Sequence, residues 1–281
     1  MPLPERTGNL SIGQALALGA LHGPAELLPI SSSGHIALVP WLLGWDYDRL
    51  DDDLRKAFEV VLHAGTAAAL LITLRKEVGD AVRRASVRRL TLIALSFAPP
   101  ALVGYSQEAA IERHLGKPPT IAAGLLGGAV VMALADRTPQ VRSHEDAGAS
   151  DAVWLGVAQA CALYPGVSRN GATLAAARLR GFTRADANRL SRHAALPVIA
   201  GATWLKAVRL RRRGLPAATA IPFAAGAGAS FVSALGSSWL IHQVERDRSL
   251  LPYAAYRIVL AGAVLRRLRA TRCTRCTRIM P

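Results

Sequence analysis

Cysteine is scarce, with three in 281 residues. Cys161 falls in an apolar run and reads as a small inert hydrophobe. Cys273 and Cys276 form one C-x-x-C in an arginine-rich end that reads as a plain unstructured tail, too isolated a pair to argue for metal or redox chemistry. Aromatic residues make up only 5% of the chain, and no stacking pattern accompanies its basic runs. Nucleic acid is therefore a poor partner, although 34 Lys and Arg against 19 Asp and Glu give a formal charge of +15. The first eleven residues lack a basic stretch ahead of a cleavage site, so no removable signal peptide is expected.

Charge is absent from long stretches instead. Apolar runs occupy Ile12–Leu21, Val60–Leu74, Leu90–Val103, Ile121–Ala135, Ala152–Leu163, Ala194–Leu205, Ala217–Leu240 and Tyr253–Leu265. Several approach the roughly 20 residues a helix needs to cross a bilayer. A soluble helical protein is the alternative, since the mean hydropathy of +0.25 is modest, but so many separate runs exceed what one soluble core covers. An all-α, multi-pass membrane protein is expected. The arginines gather at the ends of these runs, at Arg75–Arg89, Lys206–Arg213 and Arg266–Arg278, where they suit anionic lipid headgroups.

Against that background two polar clusters stand out. Glu26-Leu-Leu-Pro-Ile-Ser31-Ser32-Ser33-Gly34-His35 packs a carboxylate, three hydroxyls and an imidazole into an apolar region, and Pro165-Gly166-Val-Ser168-Arg169-Asn-Gly171-Ala-Thr173 adds an arginine downstream. Such groups are expensive in a membrane without partners, so their density marks a site for something polar. Together they supply donors, a cation and a base for a phosphate.

An offset of 137 pairs His22 with Gln159, Ser31 with Ser168 and Gly34 with Gly171. Each half then reads as a broken helical hairpin, shortened by Gly and Pro, followed by three full spans. The expected organisation is a first repeat at 1–135, a linker at 136–151, a second repeat at 152–268 and a basic tail at 269–281. Three spans is an odd number, so the repeats would be inverted and the two motifs would meet near the midplane. Orientation does not follow, because the arginine bias of the loops nearly cancels across that topology.

The strings "GPAELLPISSSGH", "FEVVLHAGT", "PGVSRNGAT" and "YRIVLAG", in this order and across nearly the whole chain, resemble the bacterial undecaprenyl-diphosphate phosphatases, integral membrane enzymes linked to bacitracin resistance. The resemblance implies hydrolysis of a polyprenyl diphosphate lipid to the monophosphate, recycling the carrier of cell-wall synthesis. It also implies a divalent cation, Mg²⁺ or Ca²⁺, a homodimer, and a bacterial inner-membrane location with the site opening to the outer face. An inverted-repeat flippase or transporter is the alternative, distinguished by substrate movement without phosphate release.

The chemistry needs a nucleophile, cations for the non-bridging oxygens and a proton carrier. Ser32 is the expected nucleophile; with Gly34 and His35 opening a helical turn, the His35 imidazole is placed to approach its hydroxyl, and His35 is the alternative nucleophile. Ser31 and Ser33 would donate to phosphate. Glu26 suits either metal coordination or general-base work. Arg169 offers a planar fork matched to phosphate, Gly166 and Gly171 let the backbone approach, and Ser168 and Thr173 orient the loop or donate hydrogen bonds. The family pattern leads one to expect Gln or Glu where this chain has His22, so His22 joins Glu26 as a candidate metal ligand of altered preference. Arg192-His193 likewise stands where an apolar pair is expected.

Overall fold

The structure, a computed structural model, describes residues 10–83, 86–213, 216–246 and 249–277. The N-terminal segment read for a signal peptide lies largely outside them, as do the side chains of Cys273 and Cys276. Among the described residues the protein is all α-helical, with one isolated bridge between Arg142 and Phe182.

Ser11 opens α1 (Ile12–Leu27) through a reciprocal capping box with Gln14. Pro24 sits near the end of α1, and the chain is extended at Leu28 before turning back into α2 (Ser32–Leu43). At about 1.5 Å per residue neither helix is long enough to cross a bilayer. The same device recurs downstream, where α7 (Ala149–Cys161) turns into α8 (Arg169–Leu179).

Between the hairpins run α3 (Asp52–Thr73), the short amphipathic α4 (Arg75–Arg83), α5 (Val87–Leu115) and α6 (Pro118–Asp136). After the second come α9 (Arg184–Arg213), α10 (Ala220–Gly236), the short α11 (Trp239–Arg246) and α12 (Leu251–Thr277). Among the described residues four segments, Asp52–Thr73, Val87–Gln107, Pro118–Asp136 and Ala217–Gly236, are long and apolar enough to span a membrane.

Burial is inside out relative to a soluble protein. Val87, Leu102, Tyr105 and Val259 are 70% exposed or more, while His22, Thr66, Thr173, Arg178 and Arg257 are at most 1% exposed. Outer faces of this kind match a lipid surround, and the polar groups meet one another inside. The chain is thus a multi-pass membrane protein. Helix α1 lies against α10, which also packs on α3; α7 lies against α5; α6 pairs with α12. Close approach of α1 to α10 depends on Gly23, where a Cβ would run into Ser233 and the Ala234 backbone.

Three expectations need correction. The run at Ala217–Leu240 is not one helix, because the chain breaks at Ser237-Ser238 between α10 and α11. Up to Thr277 the basic tail is not unstructured: α12 continues through that residue, since arginines and threonines following a long helix extend it at little cost. Arg192 is explained by its ion pair with Glu77 of α4, 3.4 Å away. The linker is tied down too, with Arg142 held 2.8 Å from Asp151 of α7 and Arg180, just past the end of α8, bonding the same carboxylate at 2.7 Å.

Candidate active site

Each hairpin turn is closed by a serine in an unusual backbone state. Ser31 (φ 80°) caps α2 and Ser168 (φ 68°) caps α8, the only positive-φ residues other than glycine among those described. Ser31 Oγ accepts from the Gly34 N–H at 3.3 Å, and Ser168 Oγ from the Gly171 N–H at 3.2 Å. Holding a serine there is strained, and such strain gathers where geometry serves a function. The two caps fix the residues that follow them. Ser32 is the first residue of α2 and Arg169 the first of α8.

Those two side chains converge on one carboxylate. Ser32 Oγ donates to Glu26 Oε2 at 2.5 Å, and Arg169 Nη2 to Glu26 Oε1 at 2.5 Å. The Glu26 side chain is only 9% exposed, so both oxygens have a partner in a poorly solvated setting. Asn170 donates to the Leu27 carbonyl at 2.9 Å and fastens α8 to the end of α1. A cavity of about 60 Å³ adjoins Glu26 and Arg169, with Leu70, Leu74, Leu196 and Ile241 in its wall.

His35 does not approach Ser32 as expected. Its Nδ1 lies 2.7 Å from the Ser31 carbonyl and its Nε2 2.7 Å from the Tyr256 hydroxyl, with the two rings parallel and 5.6 Å apart. The reason is helical geometry: side chains lean toward the N-terminus, so His35 reaches back one turn to residue 31, whereas Ser32 leaves the helix on another side. A carbonyl can only accept, so Nδ1 carries the proton and Nε2 accepts from Tyr256.

The remaining candidates divide by position. Ser33 is exposed. Ser31 is buried, and its hydroxyl serves as the α2 cap. Thr173 is buried, donating to the Arg169 carbonyl at 2.9 Å and meeting Ser191 Oγ at 2.5 Å, so it braces the start of α8. Gly166 has φ 93°, and a Cβ there would strike the Ile121 carbonyl of α6, which makes glycine the residue this turn requires. Gly171 faces the Arg257 guanidinium, where a Cβ would sit 3.0 Å from Nη1.

His22 lies one helical turn before Glu26 on the same face of α1. Across from them is His63 of α3, whose Nδ1 is 3.7 Å from Glu26 Oε2 and whose ring meets that of His22 edge-on at 4.5 Å. One ligand atom from each of His22, Glu26 and His63 falls within 4.8 Å of the others. His22 Nε2 is buried with no hydrogen-bond partner, which is what a group waiting for a cation looks like, so the set fits a divalent ion.

Sequence reasoning missed His63, Asn170, Tyr256 and Arg257 as site residues. Arg257 is fully buried and donates to the Gly166 and Val167 carbonyls, each at 2.8 Å, clamping the α7–α8 turn to α12. The available signal was an ionisable residue inside an apolar run, which His63 and Arg257 both satisfy.

Comparison with known proteins extends this picture over most of the chain. Residues 15–263 match the family described as bacitracin resistance protein BacA. The undecaprenyl-diphosphatase of Geobacter sulfurreducens is 39% identical over 270 residues, covering 91% of this chain and 98% of that protein. The undecaprenyl-diphosphatase of Pelobacter propionicus is 38% identical over 270 residues, with 91% and 97% covered, and that of Rubrobacter xylanophilus 36% over 273 residues, with 91% and 97% covered. The matched stretch includes both hairpins and the helices that bring His63, Tyr256 and Arg257 to them, and the chain belongs to the bacitracin resistance protein BacA family.

Proposed function

We propose that this protein hydrolyses undecaprenyl diphosphate to undecaprenyl phosphate and inorganic phosphate within the membrane. The observation that carries the reading is the convergence of Ser32 and Arg169, from two different hairpins, on the two oxygens of Glu26. A hydroxyl against a carboxylate is a nucleophile beside its base, and a guanidinium next to it is a phosphate clamp. Family membership favours hydrolysis over a flippase.

Ser32 Oγ attacks the terminal phosphorus, the bond from that phosphorus to the bridging oxygen breaks, and undecaprenyl phosphate leaves. Glu26 takes the serine proton. Phosphate competes with Glu26 for Arg169, so substrate entry draws the guanidinium away and leaves the carboxylate ready for that proton. Water then attacks the phosphoserine, its proton goes to the departing phosphate, and Glu26 returns its proton to Ser32. Ser33, Ser168, Gly166 and Gly171 shape the phosphate cradle in this reading, while His35, held by Tyr256 and the Ser31 carbonyl, positions the α2 turn. A divalent cation, Mg²⁺ or Ca²⁺ as the family resemblance implies, would be held by Glu26 and His22 and would supply positive charge to the phosphate oxygens. The apolar wall formed by Leu70, Leu74, Leu196 and Ile241 suits the first units of a prenyl chain.

The reading includes two inverted repeats. The packing of α1 on α10 and of α7 on α5 supports it, because an offset of 137 carries the first pair's members onto the second's. An inner-membrane location, a site open to the outer face and a homodimer complete it, on the strength of the family resemblance. The test is phosphate release from undecaprenyl diphosphate in detergent micelles by the purified protein. Release dependent on Glu26 and Arg169 is expected; lipid movement in vesicles without phosphate release would refute it.

A further inference from the structure

His22 Nδ1 meets a hydroxyl chain that ends on a backbone carbonyl. Ser230 Oγ of α10 donates to the Leu62 carbonyl at 2.8 Å, which uses its one proton. Thr66 Oγ1 lies 2.7 Å from Ser230 Oγ and 3.3 Å from the Leu62 carbonyl. Thr66 Oγ1 meets His22 Nδ1 at 2.8 Å, and Ser230 Oγ lies 3.4 Å from the same nitrogen. With both hydroxyls donating toward the Leu62 carbonyl, Nδ1 carries the imidazole proton and Nε2, which is buried and without a hydrogen-bond partner, presents its lone pair.

That arrangement is the outer shell of a metal-binding histidine, whose other ring nitrogen donates to a protein oxygen and fixes the ring. His63 brings a second imidazole and Glu26 one carboxylate, with ligand atoms within 4.8 Å of one another. Mg²⁺ and Ca²⁺ take oxygen ligands, whereas two imidazoles with one carboxylate suit zinc, cobalt or manganese. Two neutral ligands also leave the cation's charge less cancelled than two carboxylates would, so more remains for a phosphate beside Arg169.

We infer that His22, Glu26 and His63 form a binding site for a divalent transition cation of the zinc, cobalt and manganese class, with Thr66 as the residue that positions His22. The inference rests on the cation site of the function proposed above, gives that site a transition metal where the family resemblance implies Mg²⁺ or Ca²⁺, and does not depend on hydrolysis.

Cobalt is the probe. Chelator-stripped full-length protein in detergent is titrated with Co²⁺ and read by its visible ligand-field bands, with no lipid substrate present. One equivalent should generate the bands, Zn²⁺ should abolish them, and excess Mg²⁺ or Ca²⁺ should leave them intact. His63→Ala, at a half-exposed position, should weaken Co²⁺ binding by at least about tenfold. Thr66→Val should weaken it by about 10- to 100-fold, with Thr66→Ser restoring it, which a merely structural threonine would not show. Bands that are absent, unchanged in His63→Ala or displaced by Mg²⁺ would overturn the inference. Phosphate release assayed on the same samples separates the two readings: cobalt bands without release refute hydrolysis alone, and release without histidine-dependent bands refutes the transition-metal site alone.

Discussion

Replacing Ser32 by alanine distinguishes an attacking group from one of several phosphate donors. In the resting site the hydroxyl makes one charged hydrogen bond, to Glu26 Oε2 at 2.5 Å, and Arg169 occupies the other oxygen. Removing it therefore costs no more than about 1.5–3 kcal/mol of stability and leaves the carboxylate paired. Loss of a single phosphate donor lowers turnover by about 10²–10³-fold, which is about 3–4 kcal/mol of barrier. Loss of a nucleophile costs at least about 10⁴-fold, or more than about 5 kcal/mol. Ser32→Ala should then show turnover more than about 10⁴-fold below wild type, with a slightly lowered unfolding temperature and normal behaviour in detergent. The assay is the initial rate of phosphate release from undecaprenyl diphosphate at saturating substrate, beside a thermal melt of each protein. A residual rate above about 0.1 per cent would mean that Ser32 is a binding group, and the mechanism above would fail.

Arg169→Lys keeps the charge but loses the planar fork, so kcat/KM for phosphate release should fall about 100-fold or more; near-normal kinetics would show that Arg169 acts as a point charge. Arg257→Met removes the donors to Gly166 and Val167 and strands buried carbonyls, which should cost about 3–5 kcal/mol in a thermal or denaturant melt, and an unchanged melt would refute the clamp. Outside the spans, burial raises the Asp151 carboxyl, but hydrogen bonds from Arg142, the Gly148 N–H and Arg180 outweigh it and hold it at about 2 against an ordinary 3.8. The native state thus binds this proton more weakly than the unfolded chain. Its contribution, about 2 kcal/mol, is fully present above about pH 4 and fades as pH falls toward 2. Asp151→Asn should flatten that part of the stability profile measured by unfolding, and a profile identical to wild type would refute the assignment.

Helix content, the two hairpins and the polar residues that meet at Glu26 were legible because they depend on local pattern. Apolar runs mark spans, Gly and Pro mark the broken helices, and a dense polar string in an apolar setting marks a site. Ser32, Glu26 and Arg169, whose side chains the structure brings together, were singled out for that reason. What the pattern hid arises from contacts between distant helices. Tyr256 and Arg257 lie far along the chain from their partners His35 and Gly166, and nothing local says that α12 passes between the hairpins. His63 sat inside a recognisable string, yet its role depends on α3 crossing α1 at one height. Positive φ at Ser31 and Ser168 was hidden too, since that region ordinarily selects glycine or asparagine. The direction of His35 followed from a one-residue detail: where α2 begins decides which side its fourth residue faces.

Tyr256 and Arg257 adjoin in α12, and one holds the first hairpin through His35 while the other holds the second through Gly166 and Val167. Both hairpins are made long before α12 leaves the ribosome. An unfinished chain already carries Ser32, Glu26 and Arg169, with Asn170 joining α8 to the end of α1, but lacks the two α12 side chains that hold the turns themselves. Assembly of the site is thereby timed to the insertion of the last helix, and chains truncated before it should enter the membrane as inert intermediates rather than as partly active enzymes.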